Sequence, residues 1–185
     1  MHLCEDGFPW YALHVRRRFE KVVSETLRSR GYEQFLPLNR RERPSLNGIR
    51  QIELPLFPGY VFCRFELANR LPILTVPGVN AVVGFGKHIT PIDGSQLVAI
   101  RTLLKSGRPC ELVPFVAGGK RVRVESGPLG GAEGFVTDAE DGPRFAVSIN
   151  ALGRSVSVPI SDESLKTLPG SSDVRKLQNR QMLVS

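Results

Sequence analysis

The spacing of apolar residues changes character near residue 106. Before this point, segments that alternate apolar and polar residues, as strands do, are mixed with stretches in which apolar residues recur with the period of a helix. After it, short alternating segments are separated by glycine-rich turns. The pattern predicts an α+β domain at 9–106, a linker at 107–117, a small β-barrel at 118–168 and a disordered polar tail at 169–185.

The elements of the first domain can be placed from these patterns. Strands are predicted at Trp10–Val15, Tyr32–Leu38, Ile52–Leu56, Tyr60–Phe65 and Val79–Phe85, and helices at Phe19–Arg30, Leu67–Thr75 and Gln96–Lys105. Gly31 is placed to end the first helix, because a glycine there can take a left-handed backbone. The polar, basic stretch Asn39–Gly48 ends in an Asn-Gly turn signal and is predicted to be an exposed hairpin loop.

Residues 55–63, Pro-Leu-Phe-Pro-Gly-Tyr-Val-Phe-Cys, carry the strongest local signal. They place an aromatic residue on each side of a Pro-Gly turn and then enter an alternating strand. That strand sends Tyr60, Phe62 and Arg64 to one face of the sheet and Val61, Cys63 and Phe65 to the other. One face can therefore be core, while the second face presents aromatic rings that a helix or a partner must cover.

The second domain is predicted from short alternating segments at Arg121–Glu125, Gly134–Asp138, Arg144–Asn150 and Arg154–Ile160. Glycine and proline mark the turns between them, and no long helix is indicated. Short strands joined by such turns are typical of a small β-barrel. The β-favouring residues of these strands also favour a stable barrel over a helical alternative.

Charge adds one feature to this picture. The chain of 185 residues carries a net charge of +7, and residues 1–107 hold 15 Lys/Arg against 9 Asp/Glu. The first half therefore has the balance expected of a protein that contacts a polyanion. A solvated basic surface without a partner is the alternative that composition leaves open.

The residue types needed for catalysis or metal binding are scattered. The cysteines and histidines are widely separated in sequence: Cys4, Cys63, Cys110, His2, His14 and His88. This spacing predicts no disulfide framework, zinc site or catalytic triad. The glycines of Gly127–Gly131 lead into a strand rather than a helix, so they indicate a turn and not a phosphate loop. Without a long apolar run or a signal peptide, the protein is predicted to be cytoplasmic, with no cofactor and no enzymatic activity.

Several motifs occur together in one order. They are Trp10-Tyr11-x-Leu13-x-Val15, Leu56-Phe57-Pro58-Gly59-Tyr60-Val61-Phe62, Val76-Pro77-Gly78-Val79, Gly119-Lys120-Arg121-Val122-Arg123-Val124 and Glu133-Gly134-Phe135-Val136. This series resembles the NusG family of transcription factors. The resemblance implies an NGN-type antiparallel sheet with flanking helices, followed by an SH3-like KOW β-barrel. Phe35-Leu36-Pro37-Leu38 and the residues preceding Phe57 are more similar to specialised, operon-directed paralogues such as RfaH and the UpxY-type antiterminators.

The resemblance also implies partners for particular residues. It implies that the β′ clamp helices of RNA polymerase contact a hollow lined by His14, Phe57, Pro58, Tyr60 and Phe62, and that Arg16, Arg17 and Arg18 face the non-template DNA strand. The β gate loop would meet Arg70–Leu74, where this chain has Leu71-Pro72-Ile73 instead of polar residues. On the KOW barrel, Leu129, Ile149 and Leu152 would bind ribosomal protein uS10 or the termination factor Rho. From the residues alone, the rings could instead serve only to pack the helix Ser95–Lys105 onto the sheet, and the arginines could be a solvated charge run.

The predicted function is suppression of pausing or termination by a monomeric, operon-specific elongation factor. A housekeeping NusG-type factor and an RNA-binding KOW protein of the translation machinery are the alternatives. The sequence leaves open which operons are served and which DNA or RNA element recruits the protein.

Overall fold

The computed structural model describes residues 7–45, 48–86, 88–116, 118–161 and 164–168. The chain divides into two compact units between Gly94 and Ser95, whereas the sequence predicts a first domain that continues to residue 106. The predicted disordered tail, 169–185, lies outside the described residues.

The first unit is an α+β domain. Its elements are β1 (Trp10–Val15), α1 (Glu20–Ser29), β2 (Glu33–Phe35), β3 (Leu38–Ser45), β4 (Gly48–Pro55), β5 (Tyr60–Arg64), α2 (Leu71–Leu74), β6 (Val79–Val82), β7 (Gly84–Phe85) and β8 (His88–Ile89). The main sheet has the order β2–β5–β1–β6, and all its pairs are antiparallel. The predicted antiparallel sheet with flanking helices is therefore confirmed.

One face of this sheet forms the core of the unit. Val61 and Cys63 of β5 and Phe65, which directly follows β5, point into it, as the period of two predicted. They pack with Val23 and Leu27 of α1. Helix α1 then ends in a Schellman motif. The Gly31 N–H donates to the Arg28 carbonyl at 3.0 Å and the Tyr32 N–H to the Leu27 carbonyl at 3.0 Å, while Gly31 has φ +83°.

The prediction of a loop at Asn39–Gly48 is wrong, although its exposure is confirmed for the described residues from Arg40 on. Strands β3 and β4 pair with each other from Leu38 opposite Pro55 to Ser45 opposite Gly48, and they form a two-stranded ribbon of their own. Their residues are exposed or half-buried throughout the described part. Strand β3 is solvated on both faces and has no apolar alternation, which is why the pattern did not show it, whereas the alternation at Ile52–Leu56 did predict the second half of β4.

The second unit contains an antiparallel sheet and all of α3 (Gly94–Lys105) except its first residue. Its strands are β9 (Glu111–Pro114), β10 (Lys120–Val124), β11 (Glu133–Ala139), β12 (Gly142–Ile149), β13 (Arg154–Pro159) and β14 (Leu165–Thr167), in the order β14–β10–β11–β12–β13–β9. The predicted class, a small β domain after an α+β domain, is confirmed. Within the predicted linker, β9 is a strand, because it pairs with β13 from Glu111 to Pro114.

Candidate functional site

Two proline–glycine turns meet the end of β1. In the turn Phe57–Tyr60, the Tyr60 N–H donates to the Phe57 carbonyl at 3.1 Å. In the turn Val76–Val79, the Val79 N–H donates to the Val76 carbonyl at 3.0 Å. The glycine in third place has φ +84° in one turn and +96° in the other, the conformation that favours glycine there. The two glycine carbonyls accept N–H bonds of 2.8 Å from Val15 and 2.7 Å from Arg16. The turns thus fix the point at which β1 ends and the arginine run begins.

The arginine run forms a strained turn. The Phe19 N–H donates to the Arg16 carbonyl at 3.0 Å, and Arg18, in third place, has φ +69°. Among the described residues it is the one non-glycine with a positive φ, which costs an L residue about 1–2 kcal/mol. The Arg16 guanidinium lies 4.9 Å from the centre of the Phe19 ring. Arg16, Arg17 and Arg18 are all exposed, and no carboxylate within the described ranges forms an ion pair with them.

A buried carboxylate, which the sequence analysis did not single out, holds one turn against α1. Glu20 is the first residue of α1 and is only 4% exposed. Its Oε1 accepts a hydrogen bond of 2.8 Å from the Gly59 N–H. A glutamate in the first turn of a helix is explained by the helix dipole alone, so no sequence signal reveals this long-range contact.

Removing this acceptor is expected to destabilise the protein. Glu20→Ala leaves the Gly59 N–H buried without its partner, which costs about 1–3 kcal/mol. Glu20→Gln keeps an oxygen acceptor on a side chain of the same length, so its loss of stability should be less than half that of Glu20→Ala. Chemical denaturation of both variants measures the difference, and equal losses would show that the hydrogen bond to Gly59 is not the cause.

Two rings lie on the open part of the second face of the sheet. His14 of β1 is directly opposite Tyr60 of β5, and their ring centres are 5.6 Å apart at an interplanar angle of 49°. His14 and Pro58 are exposed, and Tyr60 is half-buried. A Cβ atom on Gly59 would lie 3.9 Å from the Cγ atom of Arg17, so the turn and the arginine run are neighbours. We call His14, Arg16, Arg17, Arg18, Pro58 and Tyr60 the junction surface.

The other two predicted hollow residues are buried. Phe57 is 2% exposed and Phe62 is 0% exposed. The Phe62 ring meets Phe57 edge-on at 5.6 Å and stacks with Phe35 at 6.2 Å. Phe62 is two residues beyond Tyr60 on β5 and therefore points to the same face of the sheet, but its ring is covered. In this conformation the rings that a partner can touch are therefore His14 and Tyr60.

The remaining predicted contact residues differ in exposure. At the predicted gate-loop segment, Leu71 is 71% exposed, whereas Ile73 is buried. In the second unit, Leu129 and Ile149 are both 0% exposed, and Leu152 is half-buried. The exposure expected of Leu129 is wrong, because its side chain turns from the glycine-rich turn into the core. Their roles in partner binding stay predictions.

No group of three or more His, Cys, Asp or Glu side chains in the described ranges could hold a metal ion. Cys63 is buried, as predicted, and burial raises the pKa of the Cys110 thiol to about 11, so it is protonated at neutral pH. No helix in the described part of the chain is long and apolar enough to span a membrane.

The fold defines a class of protein: a two-unit chain in which an antiparallel α+β domain is followed by a small β domain. A family model described as "Transcription termination factor nusG" matches residues 8–101. The chain therefore belongs to the NusG family of transcription elongation and termination factors, and the family predicted from the sequence motifs is confirmed.

Comparison with solved structures agrees with the fold. NusG of Thermotoga maritima aligns with a TM-score of 0.50 and 20% identity, over 88% of this chain and 98% of that chain. Two structures of the MjSpt4:Spt5 complex, in conformations B and A, align at 14% identity with TM-scores of 0.27 and 0.26. They cover 89% and 85% of this chain and 99% and 98% of their own. No curated protein matches the sequence.

Proposed function

We propose that this protein is a transcription elongation and antitermination factor that binds RNA polymerase through the junction surface. The observation that carries the proposal is the His14–Tyr60 ring pair beside the exposed Pro58, next to the packed and buried rings of Phe57 and Phe62. Rings held by a packed layer bury a large area at low entropic cost, which is typical of interface hot spots. We propose the tip of the β′ clamp helices, the partner that the family resemblance implies, as the occupant of this surface.

The arginine run supports a second contact, with the non-template DNA strand. Its exposed guanidiniums lie just before the N-terminus of α1, where the helix adds partial positive charge. Neither feature favours folding: basic residues oppose the helix dipole, and Arg18 has an unfavourable backbone. Backbone strain of this kind clusters at functional sites, which supports a role of the arginine run in binding.

The action follows from these two contacts. A factor that holds the polymerase clamp and the displaced strand together keeps the cleft closed, and it suppresses pausing and premature termination without catalysis. The exposed Leu71 offers an apolar contact to the β gate loop, and Leu152 is the most accessible of the predicted KOW residues for uS10 or Rho. We propose that the protein acts as a cytoplasmic monomer on particular operons, like the RfaH and UpxY-type paralogues.

Replacing Tyr60 by alanine tests the polymerase contact. Truncating a hot-spot ring costs about 2 kcal/mol, so we expect the affinity for core RNA polymerase to fall about 30-fold. Phe85→Ala is the matched control, because Phe85 is 64% exposed and lies in the same unit on the β7–β8 ribbon. A titration of labelled protein with core polymerase gives both values. Wild-type affinity in Tyr60→Ala, or an equal loss in Phe85→Ala, would contradict the proposal.

Transcription in vitro distinguishes the specialised role from the general one. Run-off transcription of several leader sequences, with and without Rho, should show readthrough on a subset of templates when the protein is added. Equal effects on every template would favour a housekeeping factor. Binding to ribosomal RNA with none to polymerase would favour the translation alternative.

A further inference from the structure

The β3–β4 ribbon contributes no buried residue to the core among its described residues. Its strands pair only with each other in the described sheets, and none of its described residues is buried. An isolated two-stranded hairpin is marginally stable in water, so an exposed one gains little for the fold. The eight residues of β3 extend about 27 Å at about 3.4 Å per residue.

Two arginines of this ribbon face each other and destabilise the pairing of its strands. Arg43 lies directly opposite Arg50 across the strands, and like charges in this position repel each other. Arg40 forms an ion pair with Glu53 at 3.3 Å. Arg41, Arg43 and Arg50 have no carboxylate partner within the described ranges. An anion placed against the ribbon would relieve this repulsion.

The same arginines border a groove. It has a volume of about 780 Å³ and lies where the ribbon meets Lys21 of α1. Its ionic lining consists of four cations and one carboxylate: Lys21, Arg40, Arg43, Arg50 and Glu53. A concave surface with this excess of one charge concentrates the field and attracts phosphate groups.

We propose that the β3–β4 ribbon binds double-stranded DNA. The major groove of B-DNA is about 12 Å wide and admits a two-stranded β-ribbon, whereas that of A-form RNA is too narrow for side chains to read. Single strands are held by aromatic stacking, and residues 38–55 contain no aromatic residue. The arginines contact phosphates, and the exposed Ile49 and Leu54 supply apolar contacts.

The test measures DNA binding by the full-length protein without polymerase. Fluorescence anisotropy of a labelled, mixed-sequence duplex of about 20–30 base pairs is followed from about 50 to 200 mM salt. We expect Arg43→Gln/Arg50→Gln to weaken duplex binding about ten-fold and to make the salt slope shallower by about 2. The charge-keeping pair Arg43→Lys/Arg50→Lys should retain the wild-type slope.

The control variant also loses two positive charges, but from β10 instead of the ribbon. Arg121→Gln/Arg123→Gln removes two exposed arginines from β10, both near Glu133, and should leave duplex affinity within about two-fold. Circular dichroism should show that the ribbon variant folds, because its substitutions remove a repulsion. The proposal would be overturned if the control lost as much duplex affinity as the ribbon variant, or if the ribbon variant bound duplex DNA as tightly as the wild type. It would also be overturned if single-stranded DNA bound as tightly as the duplex and the ribbon substitutions weakened both to the same extent. Since no polymerase is present, failure of the polymerase contact does not affect this result.

Discussion

Replacing Phe62 by alanine is expected to lower the free energy of unfolding by about 3–5 kcal/mol. Phe62 is 0% exposed, and its ring contacts both Phe57 and Phe35. Alanine would leave a cavity between these two rings, because β5 holds the backbone in register with β1 and β2 on either side. Urea denaturation followed by circular dichroism measures the loss.

The controls for this variant separate folding from binding. Phe85→Ala removes a ring that is 64% exposed and should change stability by less than about 0.5 kcal/mol. Tyr60→Ala should bind polymerase more weakly while its stability stays nearly unchanged. The folded fraction of Phe62→Ala should bind polymerase normally, so binding should fall only in proportion to the protein that is unfolded. A stable Phe62→Ala protein that fails to bind polymerase would show that Phe62 is itself a contact residue.

Replacing Gly134 by alanine is expected to destabilise the second unit by about 3 kcal/mol. A Cβ atom at this position would overlap the backbone oxygen of Ala146 and lie 2.8 Å from the Cζ atom of Phe145. The Phe145 ring is fully buried, and the Ala146 oxygen belongs to β12, which is paired on both sides. The methyl group can therefore be accommodated only if the strand moves.

Gly118→Ala is the matched control for this change. Gly118 has no left-handed backbone, and a Cβ atom there would meet nothing within 4 Å. Its substitution should leave stability unchanged or raise it by up to about 1 kcal/mol, because alanine restricts the unfolded chain. Thermal denaturation of both variants checks the prediction, and equal midpoints would contradict the proposed clash.

The sequence predicted the parts of the fold that have a strong period. The alternation in β5 assigned Val61 and Phe62 to opposite faces, and the structure confirms both assignments. Strand β3 was missed, because polar residues on both faces of a strand give no apolar period, whereas the second half of β4 was predicted from the alternation at Ile52–Leu56. The inward turn of Leu129 was missed as well, since the direction of a side chain in a glycine-rich turn depends on the backbone around it.

The candidate site was predictable to a similar extent. Local motifs identified the Pro-Gly turn, its rings and the arginine run. They could not show that Phe57 lies beneath the surface while Pro58 lies on it, since burial depends on residues distant in sequence. Nor could they show that Glu20 reaches Gly59, because that hydrogen bond spans 39 residues.

The Glu20–Gly59 hydrogen bond joins the first residue of α1 to the turn that carries Pro58. The arginine run lies between Val15, whose N–H bonds the Gly59 carbonyl, and Glu20, so the same turn holds both ends of the run. A ligand that shifted either part would therefore change the geometry of the other, and the two proposed affinities would be thermodynamically linked. Such linkage is reciprocal: the ratio by which polymerase raised the affinity for the displaced strand would equal the ratio by which the strand raised the affinity for polymerase.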